Sequence, residues 1–167
     1  MLRHIVMGSA LMAVSLGISG CSDSTDEMMD TMPKYEVSIT NLTAGQPMAP
    51  AIVALHNGDY NLYTLGESAS TALETLAEGG DNSQLLAAAQ ATTNVDDTQS
   101  LGALLTPGAS LSVILEGEDD YLSLAGMLVN TNDGFTGLRS YHVSHLDVGE
   151  SESLALSTYD AGTEANS

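Results

Sequence analysis

Basic residues are almost absent from this sequence. Its 167 residues contain three Lys and Arg against 22 Asp and Glu, a formal net charge of −19 at pH 7. The balance argues against a nucleic-acid partner, because binding one requires cationic groups that replace the counterions of the phosphates. The acidity instead keeps the chain soluble and creates carboxylate clusters, whose mutual repulsion a hard cation relieves.

Cysteine and large aromatic residues are also scarce. Cys21 is the single cysteine, Trp is absent, and Phe occurs once, at position 135. The chain therefore forms no internal disulfide, and its core is expected to be aliphatic with Tyr at the margins. At this length there is room for one domain of ordinary size.

The first twenty residues have the pattern of an export signal. A basic start at Arg3 and His4 precedes an apolar run over 5–16 that is too short to span a bilayer as a mature helix. The run leads to Ile18-Ser19-Gly20-Cys21, which resembles the lipobox of bacterial lipoproteins. That resemblance implies lipidation of Cys21, cleavage before it, and attachment to the membrane by acyl chains. A signal peptide with an incidental cysteine is the alternative.

Three parts of the chain follow from this pattern. Residues 1–20 are predicted to be the lipoprotein signal peptide, residues 21–34 a flexible acidic linker, and residues 35–167 one folded domain. Ser22, which follows the lipidated position, predicts sorting to the outer membrane. We therefore expect a lipid-anchored domain in a bacterial cell envelope.

The domain's sequence contains short strand patterns and two helix patterns. Period-two alternation and β-branched residues predict strands over 35–42, 51–56, 111–116, 121–129, 141–146 and 153–159. Helical spacing predicts helices over 67–78, capped by Ser68 or Ser70, and over 84–90, capped by Asp81 or Asn82. The polar stretch 92–106 is predicted to be a long connection and 117–120 an acidic hairpin turn. Short strands with frequent turns are typical of a β-sandwich.

One loop combines turn residues with oxygen donors. The strand pattern that ends at Val129 breaks into Asn130-Thr131-Asn132-Asp133-Gly134 and resumes at Phe135. Asn, Asp and Gly turn a chain, and Asn and Asp offer the oxygen ligands that Ca²⁺ prefers. An Asn-Asp-Gly turn is also common in hairpins that bind nothing. The pattern alone therefore leaves both interpretations open.

Several motifs, taken in order, resemble one known family. They are Ile39-Thr40-Asn41-Leu42-Thr43, the His56 region with Gly66-Glu67-Ser68-Ala69-Ser70 and Leu76-Ala77-Glu78-Gly79-Gly80, Asn132-Asp133-Gly134-Phe135-Thr136-Gly137, and Tyr159-Asp160-Ala161-Gly162-Thr163. Together they resemble the spondin N-terminal domain family, which includes parts of F-spondin and mindin.

The resemblance implies a mainly β fold: a C2-like antiparallel β-sandwich with one or two short helices and a calcium ion at one end. It implies Asp133 and Asp160 as ligands, and Glu116 as a third, with Glu118 as its alternative. Backbone oxygens of the turn that begins at Asn130, together with waters, would complete the coordination of Ca²⁺. Relatives continue beyond the position of Asp160, so the sandwich is expected to lack its last strand.

Two other kinds of site are disfavoured by spacing. His56, His142 and His145 are zinc-ligand types, but they lack helical i, i+4 spacing, and positions 142 and 145 are predicted on opposite faces of a strand. His56 is instead expected to bond to the backbone at the end of its strand. Ser68 and Ser70 lack the flanking glycine of a hydrolase elbow and suit a helix cap better.

The sequence thus predicts a non-catalytic, calcium-binding surface lipoprotein that serves adhesion or recognition of a glycan, an envelope component or a protein. The alternative is a secreted hydrolase that acts on an envelope or extracellular polymer through Asp119 and Asp120, beside Glu116 and Glu118, although no aromatic platform accompanies these carboxylates. A purely structural envelope component is the third reading.

Overall fold

Two antiparallel sheets and a pair of helices make up the fold. The computed structural model describes residues 5–6 and 32–165. Its strands are β1 (Ile5–Val6), β2 (Lys34–Thr40), β3 (Ile52–His56), β4 (Val95–Ser100), β5 (Ser110–Glu116), β6 (Tyr121–Met127), β7 (Gly134–His142), β8 (Ser151–Glu152) and β9 (Ser157–Asp160). The helices are α1 (Thr71–Gly79) and α2 (Ser83–Gln90). One sheet has the order β5-β2-β1-β8 and the other β4-β3-β6-β7-β9.

The main core is aliphatic and lies between the sheets. It includes Val37 and Ile39 of β2, Val53 and Leu55 of β3, Leu115 of β5, and Leu122 and Leu124 of β6. All five residues of β3 are buried, because the strand has the facing sheet on one side and the helices on the other. The predicted mainly β sandwich with two short helices is confirmed.

Helix α1 has defined chemistry at both ends. Of the two predicted caps, Ser70 is used: its hydroxyl accepts the N–H of Leu73 at 3.2 Å. Gly80 ends the helix with a φ of 69° and donates its N–H to the carbonyl of Leu76. That left-handed conformation favours glycine because it has no Cβ. The buried Leu73 and Leu76 pack in the second core cluster, which joins the helices to the sheet.

Helix α2 divides its capping between two residues. Asn82 holds the cap position, but its side-chain amide donates to the carbonyl of Pro50 and to the hydroxyl of Ser100, both at 2.8 Å. Asp81 accepts the N–H of Ser83 at 2.9 Å. Asn82 therefore fastens the start of the helix to the sheet, and Asp81 supplies the local hydrogen bond.

The predicted long connection over 92–106 is wrong in its middle, where β4 forms an edge strand. Thr98 is the one buried residue of this strand, and its hydroxyl donates to the carbonyl of Val53 at 2.9 Å. The other side chains, of which only Val95 is apolar, are wholly or partly exposed. The apolar alternation that would have predicted a strand is therefore absent from the sequence.

The predicted hairpin turn over 117–120 is also wrong, because β5 and β6 belong to different sheets. The segment crosses from one sheet to the other. Asp96 of β4 holds it in place, accepting the backbone N–H groups of Glu118 at 2.7 Å and Asp119 at 2.9 Å. Asp97 accepts the N–H of Glu116 at 3.0 Å. These bonds join one edge of the first sheet to the second.

The predicted strand over 141–146 is wrong in most of its length, because β7 runs from Gly134 to His142 and a turn follows. The rings of His142 and His145 stack with centroids 6.4 Å apart, so the prediction that they lie on opposite faces is wrong. His142 contacts the hydroxyl of Ser144 at 3.0 Å, and His145 contacts Glu152 at 2.9 Å. The two imidazoles therefore have separate polar partners.

Most of the predicted signal peptide and linker lies outside the described residues. Ile5 and Val6 are the described part of the leader: they pair with Val37 and Glu36 on one side and with β8 on the other. Cleavage before Cys21, as predicted, would remove this strand from the sheet. In the described part of the chain, no helix is long and apolar enough to cross a membrane.

Three aromatic rings pack behind the end of the second sheet. Tyr63 lies 5.0 Å from Phe135 and 5.3 Å from Tyr159 between ring centroids, and Phe135 lies 5.4 Å from Tyr159. Gly137 of β7 lets the ring of Tyr63 approach the strand, because an added Cβ would lie 2.6 Å from the Tyr63 hydroxyl oxygen and 2.8 Å from its Cε1. No side chain fits there without movement of the packed ring.

We expect Gly137→Ala to lower the free energy of unfolding by about 1–3 kcal/mol, because it overpacks a buried aromatic contact. Urea unfolding measures the change. Gly79→Ala is the control, since an added Cβ there meets nothing within 4 Å and alanine favours a helix, so its stability should stay equal or rise by up to about 1 kcal/mol. Equal effects of the two substitutions would contradict the packing account.

Candidate functional site

The β6–β7 loop and the chain after β9 lie side by side at one end of the second sheet. Gly134 pairs with Asp160 in the antiparallel register of β7 and β9. The N–H of Ala161 donates to the backbone carbonyl of Asp133 at 3.1 Å. Strand pairing therefore brings together the two aspartates that the family resemblance indicated.

These two carboxylates line one open pocket of about 520 Å³, which we call the acidic pocket. Its lining residues are Leu128, Thr131, Asn132, Asp133, Gly134, Thr158, Tyr159 and Asp160. Carboxylate, amide and hydroxyl oxygens thus face the same space. Hard cations bind to oxygens of these kinds, and hydroxyl groups of a ligand form hydrogen bonds with them.

Asp133 is almost completely buried, with 3% of its surface exposed. Its Oδ2 accepts the N–H of Thr163 at 2.8 Å and the N–H of Glu164 at 3.1 Å, and the Thr163 hydroxyl lies 3.4 Å away. The bond from Glu164 does most to lower the pKa of Asp133, burial opposes it, and the donors of Thr163 lower the pKa further. The carboxylate therefore stays charged and holds the C-terminal loop.

Asp160 is exposed and also has a local backbone bond. Its Oδ1 accepts the N–H of Gly162 at 2.7 Å, the geometry of an Asx turn. Both aspartates of the acidic pocket are therefore oriented by backbone donors in the loop that follows β9.

Thr131 fixes the shape of the β6–β7 loop. Its hydroxyl donates to the carbonyl of Leu128 at 2.6 Å and accepts the N–H of Gly134 at 3.0 Å. An added Cβ at Gly134 would lie 2.6 Å from this hydroxyl oxygen, so glycine is required by contact. Asn130 is not among the residues that line the acidic pocket: its side chain donates to the carbonyl of Gly45 at 3.0 Å and supports the loop from behind.

The expected third ligand, Glu116, is not brought to the acidic pocket. It forms an exposed ion pair with Lys34, and its N–H donates to the side chain of Asp97. Asp97 and Leu122 both pair with Leu55 of β3, so Glu116 lies near the start of β6. The rest of β6 separates Glu116 from the β6–β7 loop, and at the usual rise per residue of a strand this is roughly 15–20 Å. Glu118, its alternative, is bonded through its N–H to Asp96 at the same end.

Among residues 5–6 and 32–165, no group of three or more His, Cys, Asp or Glu side chains is arranged to hold a metal ion. A cation in the acidic pocket would therefore depend on two carboxylates and on neutral oxygens. The donor set fits a hard cation such as Ca²⁺ that keeps part of its water shell. It does not suit zinc, which takes nitrogen and sulfur ligands in a closed tetrahedron.

His56 is a structural residue, as the sequence predicted. It is fully buried, its Nδ1 accepts the N–H of Gly58 at 3.1 Å, and its Nε2 therefore carries the proton that is donated to Ser123 Oγ at 2.8 Å. Ser123 Oγ also accepts the N–H of Ser140 at 2.9 Å. Burial lowers the pKa of His56 and keeps it neutral. The pair is enclosed in the core and is not a nucleophile for any substrate.

A second cleft lies beside the acidic pocket and was not predicted from the sequence. It measures about 550 Å³ and shares Leu128 and Thr158 with the acidic pocket. We call it the neutral cleft; its lining residues are Asn41, Thr43, Gln46, Met48, Leu128, Thr136, Leu156, Ser157 and Thr158. A partial signal was the motif that contains Asn41 and Thr43.

Asn41 shapes the loop that lines the neutral cleft. Its amide nitrogen donates to the carbonyls of Gln46 at 2.8 Å and Leu105 at 2.9 Å. Its Oδ1 accepts the N–H of Thr43 at 3.0 Å and the Thr43 hydroxyl at 2.7 Å. The hydrogen-bonding groups of this buried amide are all used inside the protein, which explains its place in the motif.

We expect Asp133→Asn to lower the free energy of unfolding by about 1–3 kcal/mol at pH 7, because charge-assisted bonds to two backbone donors are weakened. The folded pKa of Asp133 is depressed, so its stabilisation is complete above the ordinary carboxyl pKa of about 4 and is lost as the pH falls through the folded pKa. Urea unfolding over a pH series should therefore show wild type and variant converging below about pH 4.

Glu164→Gln is the matched control, because it removes a charge but keeps the backbone N–H that bonds to Asp133. It should leave stability within about 0.5 kcal/mol of wild type. A gap between Asp133→Asn and wild type that stayed constant from pH 7 to pH 3, or an equal loss in Glu164→Gln, would contradict this account.

Comparison with known proteins agrees with the motifs and the fold. A family model described as Spondin_N matches residues 41–167, a span that contains the Asn41 loop, the acidic pocket and the neutral cleft. None of the curated proteins compared with the chain matches it. The family match covers most of the chain, and its motifs supply both strands and both loops of the acidic pocket. The chain therefore belongs to the spondin N-terminal domain family.

Proposed function

We propose that this chain is a non-catalytic binding protein of the bacterial cell envelope, anchored by a lipid at Cys21, whose acidic pocket takes a calcium ion. Its role is adhesion or recognition of a glycan, an envelope component or a protein. The observation that carries the proposal is the meeting of Asp133 and Asp160 in one open pocket at the loop end of the sheet. The export signal with its lipobox and the acidic composition of the chain also support it.

The charge state of the pocket supports a cation. Backbone donors keep Asp133 ionised, Asp160 adds a second carboxylate, and Asn132 and Thr131 bring neutral oxygens. Calcium takes six to eight oxygen ligands, so waters and backbone carbonyls would supply the others. A site with two carboxylates belongs with the weaker extracellular modules, for which dissociation constants are about 0.1–1 mM.

The pocket's residues have distinct parts in this role. Asp133 holds the C-terminal loop against the β6–β7 loop, and Asp160, which is exposed, presents its carboxylate to solvent. A calcium ion bound there would offer open coordination positions to ligand oxygens.

Binding is favoured over hydrolysis as the activity. Members of the spondin domain family are generally non-enzymatic. Two of the residues that the hydrolase alternative invokes, Glu118 and Asp119, have their backbone N–H groups held by Oδ2 of Asp96. Burial, followed by the charges of Asp96 and Asp120, raises the pKa of Asp119, and this is the one feature in favour of acid catalysis.

We expect calorimetry on the purified protein to give a Ca²⁺ dissociation constant of about 0.1–1 mM. At ten times that constant the ion should stabilise the fold by about 1.4 kcal/mol and raise the melting temperature by about 2–6 °C. Asp160→Asn should weaken binding at least about ten-fold, which corresponds to about 1.4 kcal/mol. The physical reason is the loss of one of two anionic ligands.

Glu116→Gln is the control for this measurement, because Glu116 lies at the other end of β6 and should leave Ca²⁺ affinity unchanged. No heat and no rise in melting temperature would refute the calcium proposal. An equal loss of affinity in Glu116→Gln would show that the site is elsewhere.

We expect the chain expressed in a bacterial host to incorporate labelled palmitate and to fractionate with the envelope, because Cys21 follows a lipobox. Cys21→Ala should abolish both, and Ser24→Ala, which leaves the lipobox intact, should change neither. A wild-type chain that carries no label, or that fractionates like Cys21→Ala, would rule out the lipid anchor.

A further inference from the structure

The neutral cleft contains a polar group that the protein does not satisfy. The amide nitrogen of Gln46 is buried and has no hydrogen-bond partner within the described part of the chain. The backbone of the same residue is held firmly: its N–H donates to Thr43 Oγ1 at 3.1 Å, and its carbonyl accepts from Asn41 at 2.8 Å. The backbone of this loop is therefore fixed, and the side-chain amide nitrogen of Gln46 is left without a partner among the described residues.

A buried donor without a partner costs free energy relative to a bonded one. Native proteins retain few such groups, and a ligand that supplies an acceptor oxygen recovers this cost. The neutral cleft, at about 550 Å³, lies within the size range of small-molecule sites. Gln46 is therefore better explained as a ligand contact than as a packing residue.

The walls of the neutral cleft restrict the chemistry of a ligand. Met48, Leu128 and Leu156 supply an apolar surface, and Ser157 and Thr158 add hydroxyl groups on exposed β9 residues. The lining contains no charged and no aromatic side chain. A ligand that fits is uncharged, partly apolar, and able both to donate and to accept hydrogen bonds.

The neutral cleft continues into the acidic pocket through the shared residues Leu128 and Thr158. A ligand that extends from one into the other meets the exposed carboxylate of Asp160, which accepts bonds from hydroxyl donors. The formal net charge of −19 repels anionic ligands. A neutral saccharide meets these requirements, because it alternates hydroxyl groups with apolar C–H faces and carries no negative charge.

We infer that the neutral cleft binds a neutral saccharide, with a sugar oxygen accepting from Gln46 Nε2 and an adjoining sugar unit reaching the acidic pocket. This inference rests on the proposed function, because it names the ligand class of a binding protein. Ser157 and Thr158 bond to sugar hydroxyls, and Leu128 and Leu156 contact the C–H face.

The test is calorimetry on the full purified chain with three neutral disaccharides as probes: cellobiose, maltose and N,N′-diacetylchitobiose. A digalacturonic acid and an acetylated, amidated Ala-Leu dipeptide serve as the anionic and peptide probes. Each titration is made with 5 mM Ca²⁺, which is roughly ten times the dissociation constant expected for the ion, and again with a chelator. At least one neutral disaccharide should bind, at least about ten-fold more tightly than digalacturonic acid or the dipeptide.

Gln46→Leu separates a ligand contact from a structural role. Because the amide nitrogen of Gln46 has no partner among the residues that the structure describes, this substitution should leave the melting temperature unchanged or higher, while disaccharide affinity falls at least about ten-fold. Gln90→Leu, the same change at an exposed position at the end of α2, should alter neither.

Failure of this inference is distinct from failure of the calcium proposal. Saccharide binding that persists in chelator supports the neutral cleft whether or not Ca²⁺ binds. Absence of binding by all three neutral disaccharides in a protein that does bind Ca²⁺ overturns the cleft inference alone. Preferential binding of the dipeptide or of digalacturonic acid overturns it too, as does a Gln46→Leu variant that keeps full affinity or loses stability.

Discussion

The carboxylate of Asp133 holds the binding end of this domain together. Its Oδ2 accepts the N–H groups of Thr163 and Glu164, and its backbone carbonyl accepts from Ala161, so one residue of the β6–β7 loop fixes the chain that follows β9. Asp160 directly precedes the residues that make these contacts, and its backbone pairs with Gly134, the neighbour of Asp133. The acidic pocket therefore keeps its shape only while Asp133 carries its negative charge. The backbone N–H groups that this carboxylate accepts also keep it ionised, although it is nearly buried.

Some residues of the family motifs pack in the core, and others face the acidic pocket. Phe135 and Tyr159 pack with Tyr63 behind the loops, and Gly137 makes room for that ring. Asp160, which belongs to the same motifs, remains exposed on the pocket side. Side chains that repeat every second residue along β7 and β9 thus serve the core, and their neighbours serve the site.

Sequence patterns predicted the strands that bury an aliphatic face, because alternation records burial directly. They failed at β4, where Thr98 alone is buried, and at 117–120, because local sequence does not reveal that the next strand joins another sheet. The same crossing separates Glu116 from the pocket. Resemblance to a family was needed to pair Asp133 with Asp160, and no local pattern could bring Gln46 beside β9, since that contact arises only from tertiary packing.

Terbium luminescence tests the central claim most directly, namely that the acidic pocket is a cation site. Tb³⁺ occupies oxygen sites of the calcium type, and the chain contains no Trp, so emission excited through the protein must come from tyrosine. Tyr159 lines the pocket and should sensitise the ion. The account predicts emission that Ca²⁺ competes away, that Tyr159→Phe weakens and that Asp160→Asn abolishes. Absence of sensitised emission, or emission unchanged in Asp160→Asn, would contradict it.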